Sequence, residues 1–593
     1  MSKNISKSKK VFLISGIILA FILVLVLFAN IIVSRIAEKK VRDMLVSQPD
    51  MGYEISFKKL KVNLFAMSVT IEDIRLMPDS VLMKHYKSHS STQKTLYKAE
   101  IPILKLAHLD LFSILGSKLV KIREVKYDKA AITLYTGGGK RVKHQITQEE
   151  LDKGINISRI RMSGIGGVDI GGIKLIDLSV FLVNPISGDT LLNNRDIDFE
   201  LHNLYLVKNI SDSNSFHLDM KDLRFEIENE HFELTKGGYH LSFKECSFNA
   251  KSHKVHINKL MVKPVEDIYR TAAGYQYRTD VYNAEAEHVM VELGDIKTML
   301  ITGNYYLTRI HIDGLNLFIV RNISLPFDES RRPLLPNQLL QELKTDLDID
   351  SLLISHGILV YEESNNNREP SMKVSLDRLR VEISEITSIR DSMSYEYPMQ
   401  IRLMADLQNQ LALDVTFKYP LLSRSDTFTF SGSLGGGDIT VFNPMLESAA
   451  NVRFLKGKLK GIHFSVQANA THAMGQMTML YSGLDGEVLK KDTEEGNKFL
   501  SWLANQVVKS DNPLNGEEPR VVPIYFKRVM YKGAGNFAFK ALLSGILAST
   551  IPTFDHANQK SIDVVKKETK KDKRQLRREE RREERREGRR DQK

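Results

Sequence analysis

The chain has 593 residues, one cysteine and a net charge of +11 at neutral pH. The charge is concentrated at the ends: residues 1–10 hold four lysines, residues 566–593 hold 15 basic and eight acidic residues, and the residues between them balance 65 of each sign. A neutral body argues against a nucleic-acid-binding protein. A single cysteine excludes an internal disulfide or a cysteine-based metal cluster, and Cys246 occupies an apolar strand position typical of a small buried residue.

Residues 11–33 carry no charge, and 23 helical residues at 1.5 Å each span roughly 34 Å, enough to cross a bilayer. A signal peptide would have a shorter apolar region and a small-residue cleavage site, so we predict an uncleaved transmembrane anchor. The lysines of residues 1–10 favour a cytoplasmic N-terminus, although basic residues between 35 and 42 weaken this inference. Residues 34–50 are predicted to continue the helix as a connector. The apolar residues that mark the anchor are Val11, Phe12, Phe21, Phe28 and Val33.

A strand-like unit recurs along the chain, with apolar residues at steps +0, +2, +5 and +7, as in Val69–Leu76 (VTIEDIRL). The composition would give about two clean copies by chance, and the chain has at least eight, which is typical of a repetitive architecture. The other clean copies are Ile55–Val62, Val120–Tyr127, Val168–Leu175, Leu218–Phe225, Leu241–Phe248, Ile310–Leu317 and Val374–Val381. Copies with one apolar spacer are Val255–Val262, Ala284–Val291 and Leu347–Ile354.

The unit has a break in its alternation. Val69 and Ile71 share one face of a regular strand, whereas Ile74 and Leu76 have the opposite parity. A β-bulge near Glu72–Asp73 would bring all four side chains to the same side and increase the local twist. We prefer this interpretation; the alternative is a strand that exchanges faces as it passes between two packed sheets.

Between residues 53 and 481 the pattern is mostly short alternating strands separated by glycine, asparagine and aspartate. Helices are predicted to be few. Asn443, followed by a proline, predicts a helix over 443–452, and an apolar stripe predicts another over 493–513. Shorter helical segments are predicted at 109–116 and 336–346.

The C-terminal region begins with a predicted strand at Val521–Tyr531. Residues 536–554 then form an apolar segment with about 16 residues before Pro552, too few to span a bilayer. This segment either docks on the sheet or lies in a membrane interface, and the sequence favours neither. The basic tail is predicted to be solvated and partly disordered, with attachment to anionic headgroups as the functional alternative.

A search for local chemical motifs finds no P-loop, GxSxG elbow, HExxH or CxxC pair. His85 and His89 form an HxxxH pair without a nearby carboxylate. Asp346, Asp348 and Asp350 alternate with apolar residues, which indicates a polar strand face rather than a calcium loop. We therefore predict no catalytic residue, no metal site and no cofactor. A membrane-tethered hydrolase would require a carboxylate or histidine cluster that assembles only in space.

Several stretches carry a resemblance to a known family. LDIDSLLISHGILVYEES at 347–364, and residues 437–489 with their Asn-Pro, G-x-L strand and G-x-M-x-x-x-Y segment, are similar to the C-terminal region of AsmA-like envelope proteins, in the form found in Bacteroidota. The Asn-Pro of 512–513 and the FKALLSGI segment at 539–546 resemble the closing elements of that family. The resemblance covers most of 11–552 in pattern. The family has few motifs, so no active residues carry over.

The resemblance implies a mainly β fold, in which an N-terminal transmembrane helix precedes an elongated, curled, repetitive β-sheet that forms an apolar groove, with a few short helices and a C-terminal helix. The implied domains are a cytoplasmic basic segment (1–10), the anchor (11–33), a helical connector (34–50), a repetitive β-groove domain (51–346), an AsmA-like C-terminal β domain (347–531), a C-terminal apolar helix (532–555) and the basic tail (556–593).

The implied function is binding and conduction of phospholipids or other acyl lipids between the inner and outer membranes, as in the bridge-like lipid-transfer proteins. The bulk of the chain would be periplasmic, anchored in the inner membrane, with a second membrane reached through the C-terminal helix or tail. The alternative is a non-enzymatic envelope scaffold or outer-membrane assembly factor with a closed β core. The residues expected to line the groove are Ile55, Phe57, Leu60, Val62, Val69, Ile71, Ile74, Leu76, Val120, Ile122, Val125, Val168, Ile170, Leu241, Phe243, Ile310, Ile312, Leu315, Leu317, Val374, Leu376, Leu379 and Val381.

Overall fold

The computed structural model describes most of the chain between residues 29 and 568. The described residues are 29–39, 41–43, 53–88, 96–109, 119–135, 167–184, 188, 190–208, 216–219, 223–234, 238–296, 299, 304–343, 346–368, 370–423, 426–489, 509–514 and 517–568. Within them, no helix is long and apolar enough to cross a membrane.

Several predictions fall outside the described residues. Of the predicted anchor only residues 29–33 are described, so the segment that contains Val11, Phe12, Phe21 and Phe28 stays a prediction. The predicted helices at 109–116 and 493–513 also fall mostly outside the described residues.

The described chain is mainly β and divides into two compact units. The first unit is Met1–Val265 with Ala286–Thr308, and the second is Glu266–Glu285 with Arg309–Lys593. The strands of the first unit, the last two of which cross the unit boundary, are β1 (Tyr53–Ser56), β2 (Lys59–Asn63), β3 (Ser68–Pro78), β4 (Leu96–Leu109), β5 (Leu119–Asp128), β6 (Ala131–Tyr135), β7 (Gly167–Val183), β8 (Thr190–Lys208), β9 (Phe216–Asp219), β10 (Arg224–Leu234), β11 (Tyr239–Asn249), β12 (Lys254–Pro264), β13 (Asp280–Leu293) and β14 (Tyr305–Asp313). Its helices are α1 (29–39, continuing at 41–43) and α2 (Ser80–Ser88).

The strands of the first unit pair mostly with their neighbours in sequence and mostly antiparallel. Both β1 and β2 pair with β3, which pairs with β4. Strand β4 pairs with β5 and β6, and these two run parallel to β7. The succession continues antiparallel through β8, β10, β11 and β12. The first unit is therefore one hydrogen-bonded sheet over these strands.

The second unit combines strands with short helices. Its strands are β15 (Asn316–Asn322), β16 (Leu347–Ser364), β17 (Pro370–Thr387), β18 (Met399–Leu407), β19 (Leu411–Tyr419), β20 (Phe428–Leu434), β21 (Gly437–Asp438), β22 (Val452–Ala468), β23 (His472–Val488) and β24 (Val521–Lys527). Its helices are α3 (Ile268–Ala273), α4 (Pro336–Gln341), α5 (Asn443–Ala450), α6 (Ala534–Thr550) and α7 (552–568), with 3₁₀ turns at Arg390–Ser392 and Ile439–Phe442.

Helices α4 and α5 confirm the helices predicted over 336–346 and 443–452, although they end earlier, at Gln341 and Ala450. Asn443 has a different role from the one predicted. Its side chain does not cap α5; it donates to the carbonyl oxygen of Phe454 and accepts from the backbone N–H of the same residue, each at 2.8 Å. Helix α5 is followed by Asn451, whose φ of 53° is left-handed, as is common after a helix.

The apolar C-terminal helix α6 packs on the sheet of the second unit. Phe537, Ala541 and Leu547 are buried, and the ring of Phe537 lies 6.2 Å from that of Phe428 in β20. The core beneath it contains buried residues of β20, β22, β23 and β24, including Phe430 and Met477. Helix α6 therefore covers one face of these strands and closes the core beneath it.

The predicted domain boundary at 555 falls inside helix α7. Asn558 donates to the carbonyl oxygen of Pro523 at 2.9 Å, and Ile562 is buried. The prediction of a solvated tail from residue 556 is therefore wrong for 556–568. The physical reason is that Pro552 both prevents continuation of α6 and fits the first turn of a new helix.

The break in the unit Val69–Leu76 is located at Asp73, whose φ of 57° is left-handed. Ile71 lies opposite Leu104 of β4, and Ile74 lies opposite Ile101. Both β4 partners belong to apolar clusters that share two residues, so pairs of opposite parity reach the same side of the sheet. The pairing of β3 with β4 has the same register before and after Asp73. The register is kept because β4 also changes the side on which its apolar residues lie, at the position opposite Asp73. The two pairs share a side as predicted, but the predicted inserted residue is absent, because the pairing of β3 with β4 has no register shift.

Left-handed residues recur at the same level across the sheet of the first unit, although β4, β8 and β11 carry none there. Starting from Asp73, the strand pairings lead to Lys129, Asp177, Asn229 and Lys259, all with φ between 52° and 57°. We call this line the transverse row. Each such residue reverses the alternation of its strand and bends it. Because the bends are aligned, the apolar residues on both sides of the row face the same way.

Candidate functional site

The candidate site is the apolar side of the first unit's sheet, which we call the apolar face. One cluster on it is centred on buried Leu109, Ile122 and Val125. Val120 and Tyr127 pack against this cluster, so all four apolar positions of the β5 unit lie on one side of their strand. The other residues packed against it are Val69, Leu104, Leu106, Val168, Ile170 and Ile173.

A second cluster continues the apolar face. Tyr127 and Ile173 belong to both clusters, which makes the surface continuous across β5 and β7. Burial raises the pKa of the Tyr127 hydroxyl to about 12. The buried residues of the second cluster are Ala130, Leu175, Leu178 and Ile197, and the others packed against it are Ile101, Ile132, Val180, Phe199, Ile227 and Phe232.

Aromatic rings extend the apolar face over β8, β10 and β11. The ring centroids of Phe199 and Phe225 are 5.9 Å apart, and those of Phe225 and Phe248 are 5.3 Å apart. Phe232 and Phe243 form a further pair at 5.8 Å. Phe243 and Phe248 have opposite parity in β11 and still contact the same face, as predicted for the apolar positions of the unit. Offset ring pairs at these distances are favourable.

The described residues of both clusters come from neighbouring strands of one sheet, with Ala130 in the turn between β5 and β6. Many of them, such as Val69, Val120 and Val168, remain partly exposed. Residues of equivalent chemistry in the second unit, such as Phe430 and Met477, are buried beneath α6. Among the described residues, the apolar face therefore has the partial exposure of a single-layer surface.

The opposite side of this sheet carries charged pairs. Lys61 lies 2.5 Å from Glu72, and the hydrogen bond from Lys61 holds the pKa of that carboxyl below its usual range. Lys174 pairs with Glu200, which raises the pKa of the lysine and lowers that of the acid. The sheet is thus amphipathic, with charged side chains on one side and apolar side chains on the other.

The structure places the predicted lining residues in three groups. In the first unit, Ile55, Val62, Val69, Ile71, Ile74, Leu76, Val120, Val168, Ile170 and Leu241 are partly exposed. Ile122, Val125 and Phe243 are buried within the apolar face. The second-unit residues are Ile310, Ile312, Leu315, Leu317, Val374, Leu376 and Val381, which are partly exposed, and Leu379, which is buried.

Two predicted lining residues lie at the edge of the sheet beside helix α1. Phe57 and Leu60 are both buried. The guanidinium of Arg42 lies 4.3 Å from the centre of the Phe57 ring, and Glu38 accepts from the Leu60 amide at 3.4 Å. Helix α1 contacts both residues at this edge of the sheet, and their place in a groove stays a prediction.

The sequence reasoning missed part of the apolar face. Leu104, Leu106, Phe199 and Phe232 belong to it, although none lies in a clean copy of the unit. The available signal was simple alternation, as in the segment 197–206 (IDFELHNLYL).

A hydrogen-bonded Ser–His–Asp cluster assembles in the second unit. Ser355 donates to Asp313 at 2.6 Å, the Nε2 of His311 lies 2.7 Å from the Ser355 hydroxyl, and the Nδ1 of His356 lies 2.7 Å from Asp313. The bonds from Ser355 and His356 lower the pKa of Asp313. In a nucleophilic triad the serine proton goes to histidine; here it goes to the aspartate, and Ser355 is buried. This order does not supply the activated serine that a hydrolase requires.

Metal-ligating side chains do not converge in the part of the chain that the structure describes: no group of three or more His, Cys, Asp or Glu residues there could hold an ion. A scan against models of protein families finds no match for this chain, and a search of curated proteins finds none either.

Proposed function

We propose that this protein is a membrane-anchored envelope protein of the AsmA-like type that binds acyl lipids on the apolar face and conducts phospholipids between the inner and outer membranes. The chain would be anchored by residues 11–33, with its bulk in the periplasm. No cofactor takes part in the contact itself, and the protein is not an enzyme in this proposal.

The observation that supports the proposal most is the partial exposure of the apolar face. Val69, Val120 and Val168 belong to a continuous apolar surface and remain accessible, among the described residues, on a sheet whose other side is charged. A continuous apolar surface that stays accessible to solvent is typical of a binding site. An acyl chain fits this surface because it needs no hydrogen-bond partner.

The energetics favour hydrocarbon over water on this face. Each buried CH₂ group contributes about 0.8 kcal/mol, so a chain of ten such groups gains roughly 8 kcal/mol from complete burial. A trough that covers only part of the chain gains correspondingly less. A lipid tail could then exchange bilayer for protein at little net cost, while its headgroup stays in water.

The test is lipid mass spectrometry on the purified full-length protein. We expect co-purifying phospholipid in the wild type and a loss of most of it in Ile170→Asp, because Ile170 is partly exposed on the apolar face. The matched control is Lys121→Asp, which places the same charge at an exposed position one residue before buried Ile122. Equal lipid content in wild type and Ile170→Asp would exclude the face as the lipid site.

A scaffold or assembly factor is the second candidate, and the closed core beneath α6 favours it for the second unit. Phe537 and Met477 are buried there, so helix α6 closes the part of the sheet that it covers. If purified protein carries no lipid while pull-down recovers a defined protein partner, the scaffold function holds.

A further inference from the structure

Helix α1 is attached to the edge of the sheet by its side chains. The amide of Leu64 donates to the Oδ1 of Asn30 at 2.8 Å, and the amide of Val62 donates to the Oγ of Ser34 at 2.8 Å. These are backbone groups of β2 and the turn after it, on the edge that does not face β3. A helix that covers a strand edge in this way prevents pairing with another chain.

The same spacing continues along the helix. The amide of Leu60 donates to Glu38 at 3.4 Å, and Arg42 donates to the carbonyl oxygen of Lys58 at 3.0 Å. Four residues of helix rise about 6.0 Å, and two residues of strand rise about 6.6 Å. The two repeats match, so α1 runs antiparallel to β2 and is fixed to it over three turns.

The end of this helix–strand pair exposes a group of large apolar side chains. The turn between β2 and β3 presents Phe65 and Met67, which are 62% and 49% exposed. Ile31, Ile32 and Ile36 of α1 are 51%, 55% and 62% exposed. We call these five residues the apical patch. Scattered exposed apolar residues are ordinary, but five on one end of a unit need an apolar partner.

The chain that leads into the patch indicates which partner this is. Residues 11–28, which precede α1 directly, are uncharged and apolar. Asn30, the polar residue nearest to them, is already hydrogen-bonded to the sheet and does not need water. Arg35 and Lys39 are exposed one to two turns later, at the distance where basic side chains reach headgroups.

We propose that the apical patch inserts into the interface of the same bilayer that residues 11–28 enter, so that the β2–β3 turn lies among the lipid headgroups and upper acyl chains. Amphipathic elements of this kind bury about 5–10 Å into the headgroup–acyl boundary. Val69, a member of the apolar face, lies two residues beyond Met67. Resting on the proposed function, this places the start of the apolar face at the membrane surface, where a lipid can pass onto it without crossing water.

The test uses the full-length protein in vesicles of phosphatidylcholine and phosphatidylglycerol. In a Cys246→Ala background, Phe65→Cys carries an environment-sensitive fluorophore, and Lys251→Cys, in the turn between β11 and β12, carries the same label as the matched control. We expect the label at 65 to be quenched by lipids brominated on the acyl chain and to be at least about threefold less accessible to iodide than the label at 251. Equal access of iodide to both labels would contradict insertion of the apical patch into the bilayer.

A second measurement separates insertion from lipid conduction. Phe65→Asp combined with Met67→Asp is expected to slow transfer of a fluorescent phospholipid from the vesicles about tenfold or more while lipid bound to the purified protein persists. If the label at 65 inserts but this variant transfers lipid at the wild-type rate, the patch is an anchor only and lipid entry at this end is excluded. If neither the wild type nor the double variant binds lipid but the label at 65 inserts, the proposed function fails. The insertion of the apical patch is then still supported.

Discussion

Leu376 and Val381 lie on the same face of strand β17 although they are five residues apart. Leu376 is opposite Leu407 of β18 and Val381 is opposite Leu403, and these partners are four residues apart on a strand whose pairing with β19 has no shift. The register between β17 and β18 slips by one residue around Arg378, whose φ is 49°. In this copy of the unit the left-handed Arg378 therefore marks the point at which the apolar positions change parity.

The left-handed positions provide the first prediction. Lys259→Gly should keep or raise stability, by up to about 1 kcal/mol, because glycine adopts a positive φ without the cost that other residues have there. Lys259→Val is expected to lower the free energy of unfolding by about 1–2 kcal/mol. Urea denaturation followed by circular dichroism measures both.

The control for this prediction is His256→Gly on the same strand. His256 is exposed and has no positive φ, so glycine there costs roughly 0.5–1 kcal/mol through lost backbone restriction. A Lys259→Gly variant destabilised as much as His256→Gly would contradict the role of the transverse row.

The second prediction concerns the pH dependence of stability. Burial raises the pKa of Tyr127 to about 12, whereas in the unfolded chain the hydroxyl ionises near 10. Between these values the folded state holds the proton and the unfolded state loses it, so stability falls as pH rises. Tyr127→Phe removes this contribution, and its free energy of unfolding is expected to fall less steeply between pH 9.5 and about 12.

Urea unfolding of both proteins at several alkaline pH values checks this expectation. Tyr97→Phe is the control, because Tyr97 is half exposed in the same unit. The assignment of Tyr127 to a buried position between the two clusters is wrong if both variants have the same pH slope.

Two glycines in helix α6 give the third prediction. A Cβ on Gly535 meets nothing within 4 Å, so Gly535→Ala gains the helix propensity of alanine and is expected to stabilise by up to about 1 kcal/mol. A Cβ on Gly545 would lie 2.9 Å from side-chain atoms of Ile524 and Met477. Gly545→Leu is expected to lower the free energy of unfolding by about 1–3 kcal/mol through overpacking. Thermal unfolding that ranks the two variants in the opposite order would show that α6 does not pack as described.

The attachment of α1 gives the fourth prediction. Ser34→Ala leaves the Val62 amide without its acceptor and is expected to cost about 1–2 kcal/mol locally. Hydrogen exchange of the Val62 amide should become faster, roughly tenfold or more. Arg35→Ala, at the next and exposed position, serves as the control. Unchanged exchange at Val62 in Ser34→Ala would show that α1 does not protect this edge.

The local part of the fold could be predicted from sequence because its signals are local. Parity within Val69–Leu76 predicted the break that Asp73 makes, and a proline after Asn443 predicted α5. The pairing partners could not be predicted, because the register depends on residues far apart in the chain. The alignment of Asp73 with Lys259 across the intervening strands therefore could not be predicted from the sequence.

The candidate site was predictable only in part. Val125 and Leu379 have equivalent positions in the same repeated pattern, and both are buried, but in different units. Whether a face stays accessible depends on a covering element such as α6, whose Phe537 lies more than a hundred residues after Phe428, which it covers. The spacing of apolar residues predicts which side of a strand is apolar, but it does not predict which element covers that side.

The transverse row also bears on how such a chain can change in length. Several strands carry a left-handed residue of their own at the shared level, as Asp177 does in β7 and Asn229 in β10. An antiparallel pair of strands could therefore be duplicated or lost while its neighbours keep their register and their bend. The bend is made within individual strands. Duplication of a short gene segment can therefore lengthen the sheet while the other strands stay unchanged.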